Sequence, residues 1–66
     1  MRITRLSRIF KRKKGLWISF DFKRDLYIVI NEEIYGQAID YMKTNQQIIP
    51  ILNDDCIVIG FKEIMF

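Results

Sequence analysis

Histidine is absent from the chain, and cysteine and proline each occur once. The missing histidine removes the side chain that most often does general acid–base work near neutral pH, together with the usual zinc-ligand sets. One thiol, Cys56, cannot close an intrachain disulfide, and with no second cysteine and no histidine to activate it, it reads as a buried, inert core residue. The three glycines, Gly15, Gly36 and Gly60, stand too far apart to form a phosphate-cradling loop. No apolar run approaches the ~18–20 residues of a membrane-spanning helix. The carboxylates have local duties: Asp25, Asp54 and Asp55 fall in expected turns, and Glu32 and Glu33 at an expected helix start. The expectation is a non-enzymatic, cytoplasmic binding protein with no cofactor, no metal and no membrane span.

What the chain has is a divided charge. Residues 1–15 hold Arg2, Arg5, Arg8, Lys11, Arg12, Lys13 and Lys14 with no acid, a charge of +7. Residues 16–66 hold four bases against eight acids, a charge of −4. With 66 residues there is room for one small domain, divided here into a basic N-terminal arm or helix (1–15) and a mildly acidic α+β body (16–66). A cationic arm seeks phosphate, an anionic lipid surface or an acidic protein patch.

The spacing of Ile3, Leu6, Ile9 and Phe10 predicts an amphipathic helix over 3–13, with Gly15 as its stop. Leu16–Phe22 and Leu26–Ile30 alternate around Lys23-Arg24-Asp25 and predict a β-hairpin. Pairing Phe22 with Leu26, Phe20 with Ile28 and Ile18 with Ile30 would leave Trp17, Ser19, Asp21, Tyr27 and Val29 on a half-exposed face. Asn31 caps a second helix that buries Ile34, Ala38, Tyr41 and Met42 and stops at Asn45. Ile48–Leu52 and Cys56–Phe61, joined by Asn53-Asp54-Asp55, predict a second hairpin, apolar on both faces and more deeply covered than the first. Pro50 places its strand at an edge or beside a bulge. A shift of thirty positions superposes Ile9 on Ile39, Lys13 on Lys43, Ile18 on Ile48 and Asp25 on Asp55, which suggests an α-β-β unit repeated twice. The expected fold class is thus α+β, with two helices against an antiparallel sheet of two β-hairpins.

Leu26-Tyr-Ile-Val-Ile, followed by a helix and then Ile49-Pro50-Ile51-Leu52-Asn53-Asp54-Asp55-Cys56-Ile57-Val58-Ile59-Gly60-Phe61, resembles the second half of a small glutaredoxin of the thioredoxin fold. The resemblance spans Leu26–Phe61 and implies a cis bond at Pro50. The first half departs from the family: it lacks Cys-x-x-Cys, and Leu16–Phe22 reads as a strand where the family has its first helix. A relative built this way would be redox-inactive.

Two binding functions remain open on sequence grounds. In the first, Arg2, Arg5, Arg8, Lys11, Arg12, Lys13 and Lys14 lie along the phosphates of RNA or DNA while Trp17 and Tyr27 stack on unpaired bases. In the second, the protein is an adaptor or inhibitor that docks on a protein partner through its aromatic face or a sheet edge. The isoleucine- and lysine-rich composition, with one alanine, suits a phage or plasmid product. An amphipathic membrane anchor ranks below both. Homodimerisation would cover the apolar second hairpin.

Overall fold

The computed structural model describes residues 2–64. Five strands and one helix run in the order β1 (Leu6–Arg12), β2 (Gly15–Phe20), β3 (Lys23–Ile28), α1 (Glu32–Thr44), β4 (Ile48–Leu52) and β5 (Val58–Glu63). The first three form an antiparallel meander and the last two an antiparallel hairpin. Two single bridges join the sheets. Thr4, just ahead of β1, exchanges two 2.8 Å backbone hydrogen bonds with Ile48 of β4. Val29, just past β3, lies parallel to Val58 of β5, whose carbonyl accepts from the Ile30 N–H at 3.0 Å. The strands therefore follow one another around a ring in the order β1-β2-β3-β5-β4 and back to β1. Its interior is filled by Leu6, Ile18, Phe20, Val29, Ile48 and Val58, with Ala38 of α1 closing the core.

The expected helix over 3–13 is instead mostly the strand β1, so the described residues hold one helix rather than two and no repeated α-β-β unit. A β-bulge explains the misleading spacing. Leu6 pairs with Phe20 and Ile9 with Ile18, while Ser7 and Arg8 together face Ser19. The extra residue resets the alternation, so Leu6 and Ile9, three apart, share the inner face as they would on a helix. Leu6–Arg12 of the expected arm thus form a paired strand of the sheet.

The β2–β3 hairpin forms, but with another register. Its turn is Asp21-Phe22, closed by Phe20 opposite Lys23; Ile18 pairs with Tyr27 and Trp17 with Ile28. Phe22, expected in the strand, folds back from the turn and stacks on Phe20 with centroids 5.6 Å apart. The slip exchanges faces. Tyr27 turns inward, 5.5 Å from the Phe20 ring, while Leu26 and Ile28, expected in the core, are 42% and 40% exposed.

Helix α1 keeps its expected form. The Ile34 N–H donates to Asn31 Oδ1 at 2.9 Å, Glu32 and Glu33 occupy the first turn, and Asn45 ends the helix at φ 52°, ψ 36°. Ala38 is buried, and Ile34, Tyr41 and Met42 pack around it. The second hairpin also forms, with Pro50 beside an irregularity between Ile51 and Leu52. The bond before Pro50 is trans, not the cis bond that the resemblance implies. This hairpin is less covered than expected, since Ile51 and Ile59 are exposed. Cys56 is exposed rather than buried: it sits at φ 61° in the loop after β4, where Asn53 Oδ1 accepts from the Asp55 and Ile57 N–H groups.

Candidate functional site

Strand alternation sorts the N-terminal cations onto different sides of the molecule. Beyond the bulge, Arg8, Phe10 and Arg12 stand on the outer face of β1, opposite Ser19, Trp17 and Gly15 of β2. Ile9 and Lys11 point the other way, toward the core side and α1. Two cations, Lys11 on that side and Arg5 ahead of β1, are engaged by the helix. Lys11 Nζ pairs with Glu32 Oε1 at 2.7 Å, at the helix start. Arg5 Nε donates to the Asn45 carbonyl at 3.1 Å, where the negative end of the helix dipole lies. The Lys11–Glu32 hydrogen bond, then their mutual attraction, raises the lysine pKa and lowers that of the carboxyl. Arg2 lies over the Phe22 ring, 5.6 Å from its centroid.

Four of the seven basic side chains remain with the outer face. The Arg12 guanidinium lies 4.9 Å from the centre of the Phe10 ring. Lys13 and Lys14 form the tight turn between β1 and β2 and are exposed. Arg8 is braced across the sheet, Nε to Ser19 Oγ at 3.3 Å and Nη2 to the Arg24 carbonyl at 3.4 Å. Phe10, Arg12, Lys13, Lys14, Trp17 and Leu26 line a hollow of about 520 Å³ on this face.

Phe10 and Trp17 are direct cross-strand neighbours in this hollow, both half-buried. The indole leans over Gly15, where a Cβ would come within 3.2 Å of Nε1. Glycine at this position lets the ring lie along the sheet rather than stand away from it. The structure thus gathers Arg8, Arg12, Lys13, Lys14 and Trp17 of the expected site. It leaves Arg2, Arg5 and Lys11 elsewhere and puts Tyr27 on the opposite sheet face from Trp17. Sequence spacing assigns Phe10 and Leu26 to buried faces, whereas the structure places both in this hollow. The signal for Phe10 was present: with Ile9 inward, an adjacent strand residue must point outward.

A second hollow, of about 340 Å³, adjoins the first along β3 and is lined by Trp17, Leu26, Ile28 and, from the loop after β4, Asp55 and Cys56. Among the described residues, no cluster of three or more Cys, Asp or Glu side chains is arranged to hold a metal ion, and no helix is long and apolar enough to cross a membrane. Comparison with known protein families, with curated proteins and with solved structures finds no match to this chain.

Proposed function

We propose that the protein binds single-stranded nucleic acid on the outer face of the β1–β2–β3 sheet. The observation that carries this reading is the pairing of Phe10 with Trp17 on that face, bordered by Arg8, Arg12, Lys13 and Lys14. Half-buried aromatic rings that line an open hollow suit stacking with a nucleobase, worth about 1–3 kcal/mol per base and available only where bases are not already paired and stacked. Cations placed around the rings suit the phosphates that accompany those bases. The aliphatic neighbours Leu26 and Ile28 extend the same surface along β3.

Connectivity supports the reading by analogy. A five-stranded ring ordered β1-β2-β3-β5-β4, with the helix between β3 and β4, is the arrangement of OB-fold barrels. Such barrels commonly bind oligonucleotides across strands β2 and β3 and the β1–β2 and β4–β5 loops. Here those loops are Lys13-Lys14 and Asn53–Ile57, which border the two adjoining hollows.

Trp17 is the only tryptophan, so its fluorescence reports on the site directly. Titration with single-stranded oligothymidylate or RNA should quench it at low salt. With about four phosphate contacts, the logarithmic salt slope should be near −3, at ~0.7 per contact. Replacing Arg8, Arg12, Lys13 and Lys14 together by alanine should abolish binding, and a duplex of equal length should compete poorly. Absence of quenching at low salt, or equal affinity for duplex, would remove this reading and leave an acidic protein surface as the partner for the cationic face.

A further inference from the structure

We propose that the depression beside the β-bulge of β1 is a phosphate subsite, holding the backbone of the same strand whose bases lie on Phe10 and Trp17. It rests on the single-strand reading above and deepens it, joining Arg24 to Arg8 as the place where one phosphate of that strand is held. The depression, about 510 Å³, is lined by Ser7, Arg8, Ser19, Asp21, Lys23 and Arg24 among others. It lies at the far end of β1 from the Lys13-Lys14 turn.

The bulge creates it. Ser7 and Arg8 together oppose Ser19, so the chain kinks there and brings Ser7, an exposed hydroxyl, next to the Arg8 side chain. Arg8 is oriented by two long hydrogen bonds, to Ser19 Oγ at 3.3 Å and to the Arg24 carbonyl at 3.4 Å. A guanidinium has five N–H donors, so three remain to meet an anion. Arg24 is exposed and forms no ion pair among the described residues. Asp21 stands at the rim, and Lys23 is held by Asp25 at 3.2 Å, so the attraction for an anion comes from Arg8 and Arg24.

Position argues for a strand rather than a free ion. Arg8 and Arg12 share the outer face of β1 with Phe10 midway between them, about 13 Å apart along the strand at ~3.3 Å per residue. One extended strand can therefore meet Arg12 and the lysine turn, lay bases on Phe10 and Trp17, and deliver a further phosphate to Arg8 and Arg24.

The test uses the whole protein and two probes. Titration with inorganic phosphate, followed by amide chemical shifts, should move the Ser7 and Arg8 signals, and Arg24→Gln should cut that response severalfold. With a six-residue oligothymidylate, Arg24→Gln should weaken binding about three- to tenfold and lower the salt slope by about one contact's worth, ~0.7, while Arg24→Lys keeps the slope. If the oligomer binds and Arg24→Gln leaves its salt slope unchanged, the subsite is wrong and the aromatic face stands. If the oligomer fails to bind wild-type protein but phosphate still moves Ser7 and Arg8, the single-strand reading falls and the anion site alone remains. Phosphate that moves neither signal rules out the subsite.

Discussion

The two faces of the β1–β2–β3 sheet share strands, and each carries aromatic rings and cations, yet they use them differently. On the inner face Phe20 stacks on Phe22 and meets Tyr27, while Lys11 on that side and Arg5, just ahead of β1, hold the two ends of α1. On the outer face Phe10 and Trp17 lie side by side, with Arg8, Arg12, Lys13 and Lys14 around them and no helix above. The lesson is that a block of +7 is not one functional unit. Alternation along a strand divides it into charges that organise the fold and charges that remain for a ligand.

The sharpest way to break this contrast is to shorten one side chain on each face. Ile18 is fully buried, so Ile18→Ala should cost about 2–5 kcal/mol. For a domain of this size, whose total stability is about 3–10 kcal/mol at ~0.05–0.15 kcal/mol per residue, that is a large share. Urea denaturation followed by circular dichroism should show the midpoint collapsing. Phe10→Ala on the outer face should move the midpoint far less and reduce oligonucleotide affinity instead. Equal destabilisation by the two changes would mean that the outer face is part of the core.

Binding gives the next effect in size. Trp17→Ala should weaken single-strand binding by about 1–3 kcal/mol, read by fluorescence anisotropy of a labelled oligomer. The exposed Ile51 and Ile59 of the second hairpin supply an internal control, because they are apolar, open to solvent and distant from the basic turn in sequence. Ile51→Ser should leave the same affinity unchanged. A comparable loss there would show that general apolar stickiness, not aromatic stacking, drives binding.

Much of this arrangement was legible in the sequence where local chemistry decides it. Asn31, the acidic first turn and Asn45 announce α1 because capping acts over a few residues. Both hairpins were visible from alternation, although Lys23-Arg24-Asp25 looked more turn-like than Asp21-Phe22 and the register slipped. That slip moved Tyr27, Leu26 and Ile28 to the wrong faces, since strand faces have period two. The helix expected over 3–13 failed for a related reason: a bulge at Ser7 imitates helical spacing, and only the pairing partner reveals it. The sequence names the seven N-terminal cations as candidates but not Arg24, and the division of those seven between helix and open face depends on contacts 21 and 40 residues apart in sequence. Such contacts have no local signature.

Cap chemistry predicts a smaller effect. Asn31→Ala removes the acceptor for the Ile34 N–H and should cost about 1 kcal/mol in urea denaturation. Nucleic-acid affinity should be unchanged, because α1 lies away from the outer sheet face.

The smallest expected effect concerns Lys11, and it tests the division of charge most directly. The Lys11–Glu32 pair is open to solvent, so salt screens it and its contribution to stability is slight. Its sign with pH is nevertheless fixed. Glu32 has a lowered pKa in the folded protein, so its contribution is present above the unfolded carboxyl pKa and is lost as pH falls through the folded value. Lys11 has a raised pKa, so its contribution is present below the unfolded lysine pKa and is lost as pH rises through the folded value. The stability difference between wild type and Lys11→Gln should therefore be largest near neutral pH, shrink toward both extremes and diminish with added salt. Oligonucleotide affinity should hardly change, whereas Arg12→Gln, one residue along the same strand, should reduce it and lower the salt slope. If both substitutions lower the slope equally, the phosphates reach both sides of β1 and the sorting of charge by strand face does not govern binding.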